Sequence, residues 1–342
     1  MKKVILALVA SIVVAAGPAY AVTVTAYGVA WDNIFNGFFS FSQAPTGGIT
    51  PVDTTGIVSS GINGASGTNM APTGSNELIN NTSPVGNSIG SPVPGTAATM
   101  TQIGPKTTNY AIGEAQIPSV QSPAVILFGG SPTTSIQAVN KAEANVNAPP
   151  LTISGAQGSN SSTTSVIFQV VVSPGVQIRF QGDAAPYVFS ELLGPADSLS
   201  KADSKIDATL SITAQGATTP AFNWAPNGGG TSGGDVSGSI GGTVQSDPFS
   251  LNIDRSATSL DPTNLYDPTG GGAGTIGNQT PGAFGAFEAT TNPLPAGTYT
   301  VVLSMDEIES DIVDTTVPEP GTILLVGAGI LGLAAISRRK RS

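Results

Sequence analysis

Apolar and polar side chains alternate with a period of two along much of residues 161–316. Val166, Phe168, Val170 and Val172 share one face, and Val176, Ile178 and Phe180 alternate with Gln177, Arg179 and Gln181. The turn pair Pro174-Gly175 lies between these runs, so together they predict a hairpin. Ile206, Ala208, Leu210, Ile212 and Ala214 alternate with Asp207, Thr209, Ser211 and Thr213. Phe249, Leu251 and Ile253, and Tyr299, Val301, Leu303 and Met305, repeat the pattern. Near the start, Val22, Val24 and Ala26 alternate with Thr23 and Thr25, leading into Phe35, Phe38, Phe39 and Phe41 as a core-facing strand. Ala124 to Phe128 reads as a short buried strand, and Ser135 to Asn147 fits either a helix or a strand. Residues 43–101, rich in Gly, Pro, Ser, Thr and Asn, predict long loops or partial disorder.

Alternation of this kind buries one face of each strand and wets the other, which is what two stacked antiparallel sheets require. The expected fold is mainly β: an antiparallel β-sandwich, jelly-roll-like, with long Gly/Ser/Thr/Asn-rich loops. The glycine-rich stretches 227–242 and 269–277 are expected to be among those loops.

Two continuous apolar runs break the pattern. At the front, Lys2 and Lys3 precede the run Val4 to Ala16, Gly17-Pro18 end it, and Ala19-Tyr20-Ala21 supplies a small-x-small cleavage site. This is the layout of a secretory signal peptide, residues 1–21, cut by signal peptidase after Ala21 to leave Val22 first. At the back, Pro318-Glu319-Pro320 leads into an apolar run over residues 322–337, followed by Arg338-Arg339-Lys340-Arg341. As a helix that run spans about 24 Å, short against a hydrocarbon core of about 30 Å. It suits a transient membrane stop with its basic end held on the cytoplasmic side.

Pro-Glu-Pro, a short apolar helix and an arginine-rich end together resemble the PEP-CTERM sorting signal, here residues 318–342. The resemblance implies recognition of Pro318, Glu319 and Pro320 and processing by an exosortase in a Gram-negative bacterium that makes exopolysaccharide. The protein would then be exported to the surface or the extracellular space after transient inner-membrane anchoring. Phe222-Asn223-Trp224-Ala225-Pro226, Asp247-Pro248-Phe249-Ser250-Leu251 and Leu294-Pro295-Ala296-Gly297-Thr298-Tyr299-Thr300 further resemble the EDSAP group of such proteins. That group implies no activity.

Between the two signals, residues 22–317 hold six basic and 21 acidic residues, a net charge near −15 against −10 for the whole chain. Such a body repels nucleic acid and anionic lipid. Histidine and cysteine are both absent. Their absence removes the usual general base, the usual zinc ligands, thiol catalysis and the base of a serine triad.

Several short motifs carry no chemistry. Gly327-Ala328-Gly329-Ile330-Leu331-Gly332 matches G-x-G-x-x-G, yet no βαβ unit or downstream acidic residue follows it. The G-x-S-x-G matches at 86–90 and 230–234 arise easily with 43 glycines in 342 residues, and no histidine can serve them. A Ser–Lys pair stays open, without a matching motif. Asp306, Glu307, Glu309, Asp311 and Asp314 form an acidic cluster. It reads foremost as a solvated spacer before the sorting signal, with a Ca²⁺ site and a carboxylate pair for glycoside hydrolysis as alternatives. Trp31 and Trp224 read as core residues, or else as stacking platforms for sugar rings.

No catalytic residue, cofactor or metal site is therefore assigned. The expected role is a non-enzymatic surface or matrix protein linked to exopolysaccharide and biofilm. A carbohydrate-binding or adhesive lectin-like module is the alternative, and a secreted carboxylate glycoside hydrolase ranks below it.

Overall fold

A computed structural model describes residues 23–62, 65–71, 74–79, 109–119, 126–131, 136–148, 156–194, 196, 198–229, 239–268 and 285–313. Strands make up 71 % of the structure, and the described residues contain no helix. The signal peptide with Ala19 and Ala21, the sorting motif Pro318-Glu319-Pro320, the apolar run 322–337 and both G-x-S-x-G matches lie outside the described residues.

Among the described residues, seventeen strands form two antiparallel sheets. The first runs β13 (Gly242–Ser246), β16 (Gly285–Thr291), β8 (Ile178–Ala184), β1 (Val24–Phe41), β6 (Ile136–Ala148), β5 (Tyr110–Ser119) and β4 (Gly74–Ile79). β9 (Tyr187–Leu193) pairs with the first half of β1 and with β15 (Thr263–Tyr266). The second runs β12 (Ser239–Ile240), β11 (Phe222–Trp224), β10 (Lys201–Ala214), β17 (Gly297–Val313), β7 (Ala156–Val172), β2 (Ile49–Ile62) and β3 (Ala65–Ala71). β14 (Asn252–Thr258) pairs with the first half of β10.

The sheets meet face to face. In the main core Phe39 of β1 stands edge-on to Phe168 of β7, ring centroids 5.0 Å apart, and Leu210, Trp224, Val301 and Leu303 fill the space around them. Each such side chain contributes about 1.5–3 kcal/mol on burial. A smaller cluster closes the far end, where Val24, Ala26 and Val146 meet Ala202 and Val313.

β1 changes face part-way. Val24, Ala26, Ala30 and Ile34 point inward at even positions, but Phe39 and Phe41 do so at odd ones. The switch occurs at a bulge between Ile34 and Gly37, where Asn36 adopts φ 54°. One extra residue flips the side-chain parity, and a short polar residue tolerates the left-handed backbone.

The structure corrects four expectations. The runs flanking Pro174-Gly175 are not a hairpin: β7 lies in the second sheet and β8 in the first, so the turn carries the chain across the sandwich. Alternation is identical for a hairpin and an arch, so period alone does not separate them. The described part of the 124–128 segment, residues 126–128, is not a buried strand: Leu127 makes an isolated bridge to Phe41, and Leu127 and Phe128 are exposed. Strands β2, β3 and β4 occupy part of the 43–101 segment expected to be loops. Their Ser/Thr/Gly composition hid them, because backbone pairing to β7 and β5 holds them. Residues 306–313 are strand, not solvated spacer. Of the open segment Ser135–Asn147, residues 136–147 lie in strand β6, buried on both faces.

Candidate functional site

The inward face of β17 carries Tyr299, Val301, Leu303, Met305, Glu307, Glu309, Asp311 and Val313 in turn. Its first half lies in the main core and Val313 in the far cluster, so three carboxylates occupy the interior between two apolar regions. Ile308, facing out, is 40 % exposed. The amphipathic pattern thus inverts after Met305 while the backbone register continues unbroken against β10 and β7. Sliding β17 by one residue would wet the carboxylates but expel Val301 and Leu303 from the core.

The opposite sheet makes room for them. Gly28 pairs with Ala144 and Ala30 with Ala142, leaving small side chains above the row. A Cβ on Gly28 would lie 1.9 Å from Glu309 Oε2 and 2.8 Å from Ser204 Oγ, so a side chain here would push the Glu309 carboxyl from its place. Ser204 Oγ donates to Glu309 Oε2 at 2.9 Å. Glu307 of β17 feels the charge of Asp32 of β1 across the interface. Beside them Asn140 Nδ2 donates to the Met305 carbonyl at 3.2 Å.

Asp32, Glu307, Glu309 and Asp311 are all 0 % exposed. Asp32 Oδ2 and Glu309 Oε1 lack a hydrogen-bond partner, and the oxygens of Glu307 and Asp311 have no well-aligned one, only the nearby Asn140 side-chain amide and Gly28 backbone amide. Burial pushes the Asp32 carboxyl up to about 7, the Asn33 amide offsetting part of the rise. Burial, then the charges of Asp32 and Asp306, hold Glu307 well above the ordinary range, against the nearby Asn140 amide. Glu309 rises through burial and Asp311, and Asp311 through burial and Asp203, with the Gly28 amide near Asp311 working the other way. An isolated ionised carboxylate in such surroundings is costly enough that protonation is the usual outcome.

A second buried polar group sits on the other face of β6. Lys141 Nζ lies 2.7 Å from Glu143 Oε2, both side chains 0 % exposed. The hydroxyls of Tyr27 and Tyr110 donate to Glu143 Oε1 at 2.8 and 2.9 Å. Burial and this carboxylate raise both phenols far above their ordinary range.

The sequence-predicted cluster is therefore split. Glu307, Glu309 and Asp311 come together inside, Asp306 faces outward opposite Asp207, and Asp314 lies outside the described residues. Among the described residues no three acidic groups converge as ligands for one metal ion. Trp31 and Trp224 are both buried, at 0 % and 2 % exposure, and present no ring face to a sugar. Sequence reasoning missed Asp32, Lys141 and Glu143. The available signal was a Lys and a Glu two residues apart inside an otherwise apolar and amide-rich segment.

Comparison with known proteins bears on the end of the chain. Residues 316–341 match the PEP-CTERM protein-sorting motif. No curated protein sequence matches the chain significantly. Among solved structures, the chain is similar to infectious bursal virus derived T=1 particles at 10% identity, covering 94% of this chain and 85% of that one, with a TM-score of 0.10. It is also similar to the infectious bursal disease virus VP2 subviral particle at 12% identity, covering 96% and 92%, with a TM-score of 0.08. Scores this low carry no argument about fold or role. The sorting motif does: this chain carries a PEP-CTERM sorting motif, which marks an exported protein sorted by an exosortase.

Proposed function

We propose that the exported body is a non-catalytic structural or interaction protein of the cell surface or extracellular matrix, linked to exopolysaccharide and biofilm. The observation carrying this reading is the sealing of the interior carboxylates. Among the described residues, Asp32, Glu307, Glu309 and Asp311 are closed off between two sheets, where no polysaccharide reaches them. A body with 21 acidic and six basic residues between the signals, and neither histidine nor cysteine, supports the same reading. The lectin-like alternative gains nothing from Trp31 or Trp224, which pack inside.

Deleting the gene and measuring matrix cohesion and cell aggregation tests the proposal. Loss of cohesion restored by the intact gene, and equally by a gene carrying Glu307→Gln and Glu309→Gln, is the expected result. An unchanged matrix in the deletion strain overturns it, as does turnover of a polysaccharide by the purified protein.

A further inference from the structure

We propose that the interior carboxylate row makes this fold proton-dependent: the two sheets close with protons held on Asp32, Glu307, Glu309 and Asp311, and loosen as these groups ionise.

The geometry leaves few other ways to neutralise the row. Along β17 the three side chains are two residues apart, roughly 6.6 Å at 3.3 Å per residue. They are thus spaced singly, and no three acidic groups among the described residues converge on one ion. Counting Asp32, six oxygens of the four carboxyls have no well-aligned hydrogen-bond partner while the side chains are fully buried. Gly28, Ala30, Ala142 and Ala144 hold the space open, so the row is built into the packing.

The charges facing the row are mostly of the same sign. Glu307 faces Asp32 and feels Asp306 and Asp207, while Glu309 feels Asp311, Glu143 and Asp203. Asp311 feels Asp203, and through the first sheet Tyr110 senses both Asp311 and Glu309. The described cations nearby are engaged. Lys141 pairs with Glu143, and Lys201 and Lys205 pair with Asp203 and Asp207 on the outer face of β10. Arg255, beside Ser204 on β14, lies 5.3 Å over the Tyr266 ring and donates to the Asp254 carbonyl. Ser204 and Ser190 add hydroxyls to the row's edge: Ser190 Oγ lies 2.7 Å from Ser204 Oγ.

The sign follows from linkage. Carboxyls that hold protons more tightly when folded stabilise the fold fully below the ordinary carboxylate range and lose that contribution as pH rises through the folded values, about 7 for Asp32. Each such group raises the unfolding constant about tenfold per pH unit inside that window.

Denaturant unfolding of the protein purified from producing cells, followed from acid to mildly alkaline pH, tests this. The expected result is an unfolding constant rising at least ~100-fold per pH unit between about pH 5 and 7. The variant Asp32→Asn/Glu307→Gln/Glu309→Gln/Asp311→Asn, which mimics the protonated row, is expected to lose most of that slope and to be the more stable chain at pH 8. Should the fourfold variant fail to fold, Glu307→Gln alone is expected to cut the slope by about tenfold per pH unit. A flat profile in the natural chain, or equal slopes in natural and variant chains, overturns the proposal. So does recovery of stability at pH 8 by millimolar Ca²⁺ that a chelator reverses, since the row would then hold cations rather than protons.

Discussion

Replacing Lys141 by methionine tests how the outer face of β6 tolerates charge. The ammonium lies 2.7 Å from Glu143 with both groups fully buried, and the other Glu143 oxygen accepts from Tyr27 and Tyr110. At an effective dielectric of about 20, opposite charges about 3 Å apart attract by roughly 5–6 kcal/mol. Much of that only offsets the cost of taking both charges out of water. Methionine fills most of the lysine volume, so the loss of packing is small. What remains is a buried carboxylate held by two phenol hydroxyls and stripped of its counter-charge. Breaking a buried pair from one side costs about 3–5 kcal/mol. For a large domain that lowers the melting temperature by roughly 10 °C. Replacing both partners, as Lys141→Met/Glu143→Gln, removes both charges and keeps an amide oxygen for the tyrosines, so most of the stability is expected to return. A double-mutant cycle by thermal and denaturant unfolding measures this. A single variant within about 1 kcal/mol of the natural chain, or a double variant no better than the single, refutes the reasoning.

Other outcomes follow from the same packing. Gly28→Ala places a methyl 1.9 Å from Glu309 Oε2; it is expected to destabilise by at least about 2 kcal/mol, and Glu309→Ala in the same chain to recover most of the loss in denaturant unfolding. Trp224→Ala empties a buried site beside Phe287, whose ring centroid is 6.4 Å away, and is expected to cost about 3–5 kcal/mol; retained stability in calorimetry would show the indole is not core. Asp247→Ala removes the acceptor for the Asn227 and Gly228 amides, bonded at 2.9 and 3.2 Å, and is expected to cost about 1–3 kcal/mol and to speed proteolysis near Gly228. Intact mass of the protein from the surface or medium is expected to match a chain from Val22 to near Pro318; a mass that retains Arg338 to Ser342 refutes removal of the sorting tail.

The C-terminal sorting signal and the strands with period-two alternation were legible along the chain, whereas β2, β3 and β4 were not. Sorting signals act through linear order, so Pro318-Glu319-Pro320, the apolar run and the basic cluster are readable without a fold. Period two fixes which residues share a strand face, and Val301, Leu303, Leu210 and Ile212 all lie inside as their alternation predicts. Which sheet a strand joins depends on partners far along the chain, and only the tertiary structure placed β7 and β8 in different sheets across Pro174-Gly175. The same limit hid the carboxylate row. By composition, Glu307, Glu309 and Asp311 belong in water. They are drawn inside because the apolar first half of β17 fixes its register and the rest of the strand follows. Asp32, 275 positions before Glu307, reaches the row only because the two sheets stack. Local pattern sets the faces of each strand, and long-range pairing decides which faces meet.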